Sequence, residues 1–217
     1  MSRILITILN ILEFSACITG FLYWKKIRHS YWRWFPVYLG IIVVTELVAE
    51  YFLYAKNDLT VNINIYRFFG VPFEFLFLFW LFYQYLNNTS KNKWPVFSAA
   101  IYLICLLIDL LYVGKMKLLF DSFSYTIGNI LLLVLLLMFF LKFIKSDDIL
   151  EYKSSMMFWV CLGLLIFYLG SLPFYGIRTT LYKEYRDFFF VYWYIQYGLN
   201  YLMYILFALS FIWGKPK

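Results

Sequence analysis

Seven long apolar stretches, separated by short polar runs, make up almost the whole chain. They cover approximately residues 4–24, 35–55, 68–86, 95–113, 122–144, 156–177 and 188–213. Each has about the 20 mostly apolar residues that a helix needs to cross a bilayer's hydrocarbon core. The connections, on the order of ten residues each, are too short to hold a soluble domain. The pattern predicts an all-α polytopic membrane protein, a single seven-transmembrane-helix bundle over residues 1–217. Pro36, Pro72 and Pro95 fall near segment starts, where a missing N–H costs little. Pro173 falls near the end of the sixth stretch and is expected to break or kink it there. No internal repeat is visible, which argues against the inverted-repeat plan of many transporters.

The first stretch resembles a signal peptide over residues 1–20. The apolar run continues through Phe21-Leu22-Tyr23-Trp24, however, and no small-residue cleavage site follows, so a retained helix is expected. Composition agrees with the pattern: 64% of residues are hydrophobic and only 14% charged, against about a quarter charged in soluble domains. The net charge of +7 reads as loop cations meeting anionic lipid and setting orientation, not as a nucleic-acid surface. Cys17, Cys105 and Cys161 all fall in apolar stretches without metal-ligand spacing and read as packing residues.

Alternate loops divide the cations unequally. One side has Lys25, Lys26, Arg28, Arg33, Lys91, Lys93, Lys142, Lys145, Lys153, Lys215 and Lys217; the other has Arg3, Lys56, Arg67, Lys115, Lys117, Arg178, Lys183 and Arg186. The bias is strongest in the first connection, which predicts a cytoplasmic first loop, an external N-terminus and an internal C-terminus. Trp24, Trp32, Trp34, Trp94 and Trp213 then form an inner aromatic belt, and Tyr54, Tyr66, Tyr112, Tyr182 and Tyr185 an outer one. Asn87-Asn88-Thr89 matches a glycosylation sequon but falls on the cytoplasmic side.

Several chemistries are excluded. The single histidine, His29, cannot build an intramembrane zinc site, and no metal or other cofactor is expected. The seventh stretch has no lysine for a retinal Schiff base. Phosphate-binding glycine loops, a Gly-x-Ser-x-Gly elbow, an arginine-rich voltage sensor and a potassium filter are all missing.

What remains is intramembrane polarity. Glu13, Glu46, Glu50, Glu74 and Asp109 are acids at membrane depth, each costing about 2.5–3.5 kcal/mol on insertion scales unless it has a partner or a task. Asn129, Gln196 and Asn200 add neutral groups. Glu46 and Glu50, four apart, share a helix face. Gln196, Asn200 and Tyr204 stack along the seventh helix, beside a second row that includes Tyr197 and Tyr201. Glu13, Glu46 and Asn200 fall near the midplane; Glu50, Glu74, Asp109, Asn129 and Gln196 fall in the outer half. The expectation is a water-accessible cavity opening outward, with Arg67 and Arg178 at its rim. The alternative is that these groups bond across helices and only hold the bundle together. Asp109, near its helix end, has the further option of snorkelling outward.

The runs Tyr66-Arg67-Phe68-Phe69-Gly70-Val71-Pro72-Phe73-Glu74-Phe75 and Ile195-Gln196-Tyr197-Gly198-Leu199-Asn200-Tyr201, with Thr45-Glu46-Leu47, resemble an uncharacterised family of small bacterial seven-helix inner-membrane proteins. That resemblance implies a fold, a bacterial inner-membrane location and weight on Glu46, Glu74 and Asn200. It implies no activity.

Four functions compete. A receptor-like module would bind a small cationic or amphipathic ligand from the outer side and act through a separate cytoplasmic or membrane protein partner. A proton- or solute-coupled transporter or channel would use the midplane acids as a relay, although the inner half has few polar groups. A structural or accessory subunit would need only the bundle. An enzyme acting on lipid comes last, because no nucleophile with an adjacent base is recognisable. The orientation is directly testable. A C-terminal green fluorescent protein fusion is expected to fluoresce, and an alkaline phosphatase fusion after Asp58 to be active; the reverse pair would invert the topology.

Overall fold

The computed structural model describes residues 2–90, 93–112 and 123–216. Lys91, Val113, Lys115, Lys117, Ser122 and Lys217 lie outside the described residues. So do the side chains of Asn87, Asn88, Thr89, Tyr112, Ile177 and Arg178. The described residues are helical almost throughout, and seven helical spans are long and apolar enough to cross a membrane. The main helices are α1 (Ser2–Leu22), α2 (Trp34–Glu50), α3 (Val71–Ser90), α4 (Trp94–Tyr112), α5 (Phe123–Ile144), α6 (Met156–Glu184) and α7 (Arg186–Trp213).

Two of these spans depart from the sequence pattern. The third begins at Leu59, nine residues before the expected start at 68, with a helix over Leu59–Ile65 and a π-helical turn over Tyr66–Gly70 running straight into α3. The Asp58 carboxylate caps this start by accepting the Val61 amide proton at 2.9 Å. Pro72 accounts for the π turn. Its ring would clash with the Phe68 carbonyl one turn earlier, and a locally widened helix relieves the clash. The sixth span runs through Pro173 to Glu184 without the break expected there.

The helices form two compact units. The first comprises residues 1–40 and 136–217. In it α6 and α7 make a tight hairpin turned at Tyr185 alone. Gly163 lets the backbones meet: a Cβ there would stand 3.3 Å from the Met203 carbonyl oxygen and 3.4 Å from the Leu206 Cβ. Near one end Phe35 is fully buried, its ring centre 5.3 Å from that of Phe207 and 5.5 Å from that of Phe211. Trp32, expected in an interfacial belt, is buried instead and packs edge-on against Phe35 at 5.7 Å. Trp34, Trp94 and Trp213 keep about half their surface exposed.

Between the first two spans, the Lys26 ammonium donates to the Phe211 and Ile212 carbonyls at 2.9 and 3.1 Å, closing the C-terminal end of α7. Burial, and then the charge of Lys215, hold its pKa below the ordinary lysine range. Tyr201 donates to the Leu5 carbonyl at 2.7 Å and ties α7 to α1. The three cysteines are free and buried.

The second unit comprises residues 41–135. Its core is aromatic: Phe75, Phe79 and Tyr102 are at most 1% exposed, with the Phe75 ring 5.0 Å from Tyr102. Gly128 admits Phe75, since a Cβ there would lie 2.9 Å from that ring.

Two glycines of α7's neighbourhood give opposite expectations. Gly163→Leu should destabilise the protein by about 1–3 kcal/mol through overpacking. Gly198, where an added Cβ meets nothing within 4 Å, should accept Ala with no loss. Unfolding midpoints in detergent micelles measure both.

Candidate functional site

The second unit carries four of the five candidate acids, Glu46, Glu50, Glu74 and Asp109. Here α2 passes into a π-helical turn over Tyr51–Ala55, reverses at Asn57 (φ 53°), and returns as the Leu59–Ile65 helix. Asparagine is among the few residues that tolerate that left-handed backbone. The returning helix lies against α2, and the buried Asn62 amide donates to the Ala49 carbonyl at 2.8 Å. One turn further on, the Tyr66 hydroxyl donates to the Glu46 carboxylate. Asn62 and Tyr66 are four residues apart, and their partners Ala49 and Glu46 are three apart, so matching faces of the two helices of this hairpin meet.

Glu46 is half-buried and stands within electrostatic reach of Glu50 and Glu74. Glu74 and Asp109 in turn both act on the Tyr102 hydroxyl. The structure therefore joins Glu46, Glu50, Glu74 and Asp109, contributed by three successive spans, into one electrostatic series with Tyr66 and Tyr102 interleaved. Asp109 does not snorkel outward. It is 1% exposed, and its Oδ2 accepts the Ser124 amide proton at 2.7 Å, so a carboxylate meets the positive N-terminal end of α5. Asn129 is 2% exposed, one turn deeper in α5.

The expected rim cations behave differently. Arg67 lies two turns inside the third span, because that span starts at Leu59, so it is not a loop charge. Its guanidinium sits over the Phe68 ring at 5.9 Å, and its Nη2 is buried without a hydrogen bond. Arg178 belongs to the backbone of α6, its side chain outside the described residues.

The other candidates belong to the first unit. Glu13 lies on the buried face of α1 with Ala16, Cys17 and Gly20. Gln196 is buried, and the Asn200 amide donates to the Gln196 carbonyl of its own helix at 3.1 Å. Tyr197 packs edge-on against Trp193 at 5.1 Å, and Tyr201 is held by Leu5. In this unit the amides and tyrosines read as helix packing and self-capping.

The second unit also has an open groove of about 470 Å³, lined by Val44, Val48, Val61, Ile65, Phe68 and Phe69, with Thr45 and Asn64 as its polar members. No carboxylate lines it. On α2, Glu46 is about 200° around from Val44, so the acids face the other way.

Tyr66 was expected in the outer aromatic belt and not as the partner of a carboxylate, and Asn62 and Tyr102 were not singled out by the sequence. Their signal was present in the four-residue step from Asn62 to Tyr66 and the seven-residue step from Tyr102 to Asp109, but each was hidden among 21 tyrosines or in a stretch read as a loop. Comparison with family models, with curated proteins and with solved structures finds no match. The roles of these residues therefore rest on their geometry.

Tyr66 and Glu46 should behave as a coupled pair. Tyr66→Phe is expected to cost about 1–3 kcal/mol by leaving a carboxylate without its donor. Adding Glu46→Gln should cost little more, giving a coupling of about 1 kcal/mol in a double-mutant unfolding cycle. Additive losses would show that the contact carries no weight.

Proposed function

We propose that this protein is a receptor-like, ligand-binding module of the bacterial inner membrane. It holds a small organic cation at an acidic site reached from the outer face and acts through a separate protein partner. The observation that carries this reading is that Glu50 and Glu74 both stand within electrostatic reach of Glu46, on spans apolar enough to cross a membrane, with Tyr66 donating to Glu46. Like charges so placed repel, and they are stable together only when protons or a cation stand among them. Tyrosine faces beside carboxylates are the setting that binds ammonium groups well. The cation bias of the loops supports an external N-terminus, which puts Glu50 and Glu74 on the outer side.

A proton-coupled transporter is the second reading. It is favoured by the alternation of tyrosine and carboxyl groups from Tyr66 through Tyr102 to Asp109, which has the composition of a relay.

Binding of a panel of primary and quaternary amines to the purified protein, followed by calorimetry, separates the two. A saturable amine that Glu46→Gln weakens at least tenfold supports binding, since a charge-assisted contact is worth about 1.5–3 kcal/mol. No amine binding, together with proton flux in liposomes that Glu46→Gln abolishes, would replace it with transport.

A further inference from the structure

The open groove of about 470 Å³ between α2 and the returning span has no part in that reading. Two contacts draw its walls together. One is the Asn62 amide on the Ala49 carbonyl. The other is Gly70 against Thr45, where an added Cβ would lie 3.4 Å from the Thr45 methyl. Val44 and Val48 stand four apart on α2, and Val61, Ile65 and Phe68 follow at helical spacing opposite them, so each wall is one helix face. Thr45 closes on its own helix, its hydroxyl donating to the Ile41 carbonyl at 2.8 Å. Among the described residues that line the groove, Asn64 alone then has polar side-chain atoms to offer.

A cation stands at the groove's edge. The Arg67 guanidinium lies 5.9 Å from the centre of the Phe68 ring, and Phe68 lines the groove. Arg67 follows Asn64 at the three-residue step that makes helix-surface neighbours. Its Nη2 is buried without a hydrogen bond among the described residues, on a span apolar enough to cross a membrane. An arginine so placed is costly until it meets an anion. No carboxylate is among the described residues that line the groove, so its walls do not supply one.

Chemistry selects the occupant. A transmembrane helix docks where small residues let two backbones approach. Among the described residues lining the groove there is no glycine, alanine or serine, and bulky valine, isoleucine and phenylalanine side chains hold a second backbone away. A hydrocarbon chain has no polar backbone to satisfy and buries well against such walls. A guanidinium favours phosphate oxygens, which accept several of its N–H groups, and the Asn64 amide adds a donor beside it. A hydrocarbon chain and a phosphate on one molecule make a phospholipid, and an uncompensated arginine selects one with net negative charge. We infer that the groove binds an anionic phospholipid, one acyl chain lying along Val44, Val48 and Phe68 and the phosphate meeting Arg67 and Asn64.

The site uses none of Glu46, Glu50 and Glu74, so it and the amine-binding reading fail separately. The test is native mass spectrometry of the full-length protein, released from detergent after equilibration with equal amounts of phosphatidylglycerol and phosphatidylcholine. The expected result is a retained phosphatidylglycerol, preferred over phosphatidylcholine by about tenfold or more, the scale of a charge-assisted contact. Arg67→Gln should remove the preference and leave the two lipids equal. Val48→Trp adds bulk to the groove at a position already 42% exposed, and should remove both lipids. Glu46→Gln should change neither. If Arg67→Gln does not fold, Asn64→Leu decides, and it should lower phosphatidylglycerol retention severalfold. Equal retention of the two lipids by the native protein overturns the site. So does a preference that the substitutions at 48, 64 and 67 leave unaltered. Oleate retained ahead of phosphatidylglycerol, or a dimer that Val48→Trp dissociates, also overturns it, by giving the groove to a fatty acid or to a second copy of the chain.

Discussion

A polar group on a helix apolar enough to cross a bilayer has little solvent to satisfy it there, and the second unit's contacts answer that constraint. A carboxyl on α2 has to find its partner within the protein, and the partner it finds, Tyr66, is on the returning span. That contact needs the hairpin after Ala55 to be short and the third span to begin early. Both conditions are met by local chemistry: an asparagine in the left-handed region at 57, and an aspartate cap at 58. The Asn62 bond to the Ala49 carbonyl then fastens the two helices one turn nearer the hairpin. The π turns at Tyr51–Ala55 and Tyr66–Gly70 bracket this hairpin. Such widened turns change which side chains face inward, and they recur at functional positions.

The same constraint separates the two units by the use each makes of polarity. In the first, polar groups close on backbone carbonyls: Asn200 on Gln196, Tyr201 on Leu5, Lys26 on the last turn of α7. Bonds of this kind satisfy a group and end there. In the second, Asn62 and Thr45 also close on backbone carbonyls, but carboxyls meet hydroxyls and other carboxyls as well; buried atoms without a hydrogen bond occur in both units, Lys142 Nζ in the first and Arg67 Nη2 in the second.

The spans were legible in the sequence because hydropathy needs no knowledge of partners. Twenty apolar residues read as a crossing whatever they pack against. What was not legible depended on single contacts. The third span looked as if it began at 68, because Thr60, Asn62 and Asn64 lower its apparent hydropathy; Asn62 is spent on Ala49, which only the hairpin reveals. Trp32 looked interfacial because tryptophan usually is, yet its ring fills a gap beside Phe35 that composition cannot show. Pro173 was expected to break or kink the outer end of the sixth span, and α6 continues through it to Glu184. The acids themselves stood out, because charge in an apolar stretch is conspicuous. Their grouping did not, since it depends on which spans are neighbours.

Asp109 shows how far a local reading can mislead about mechanism. Three residues from the described end of α4, it has the position of a side chain that escapes to the interface. It turns inward instead, because the first amides of α5 offer a partial positive charge that α4 alone could not display. One oxygen is satisfied there and the other is not. An inward carboxylate that served only as a helix anchor would be expected to have both oxygens engaged, since an amide-rich helix start has several N–H groups to give. The second oxygen has no hydrogen-bond partner among the described residues, so the start of α5 satisfies this carboxylate only in part.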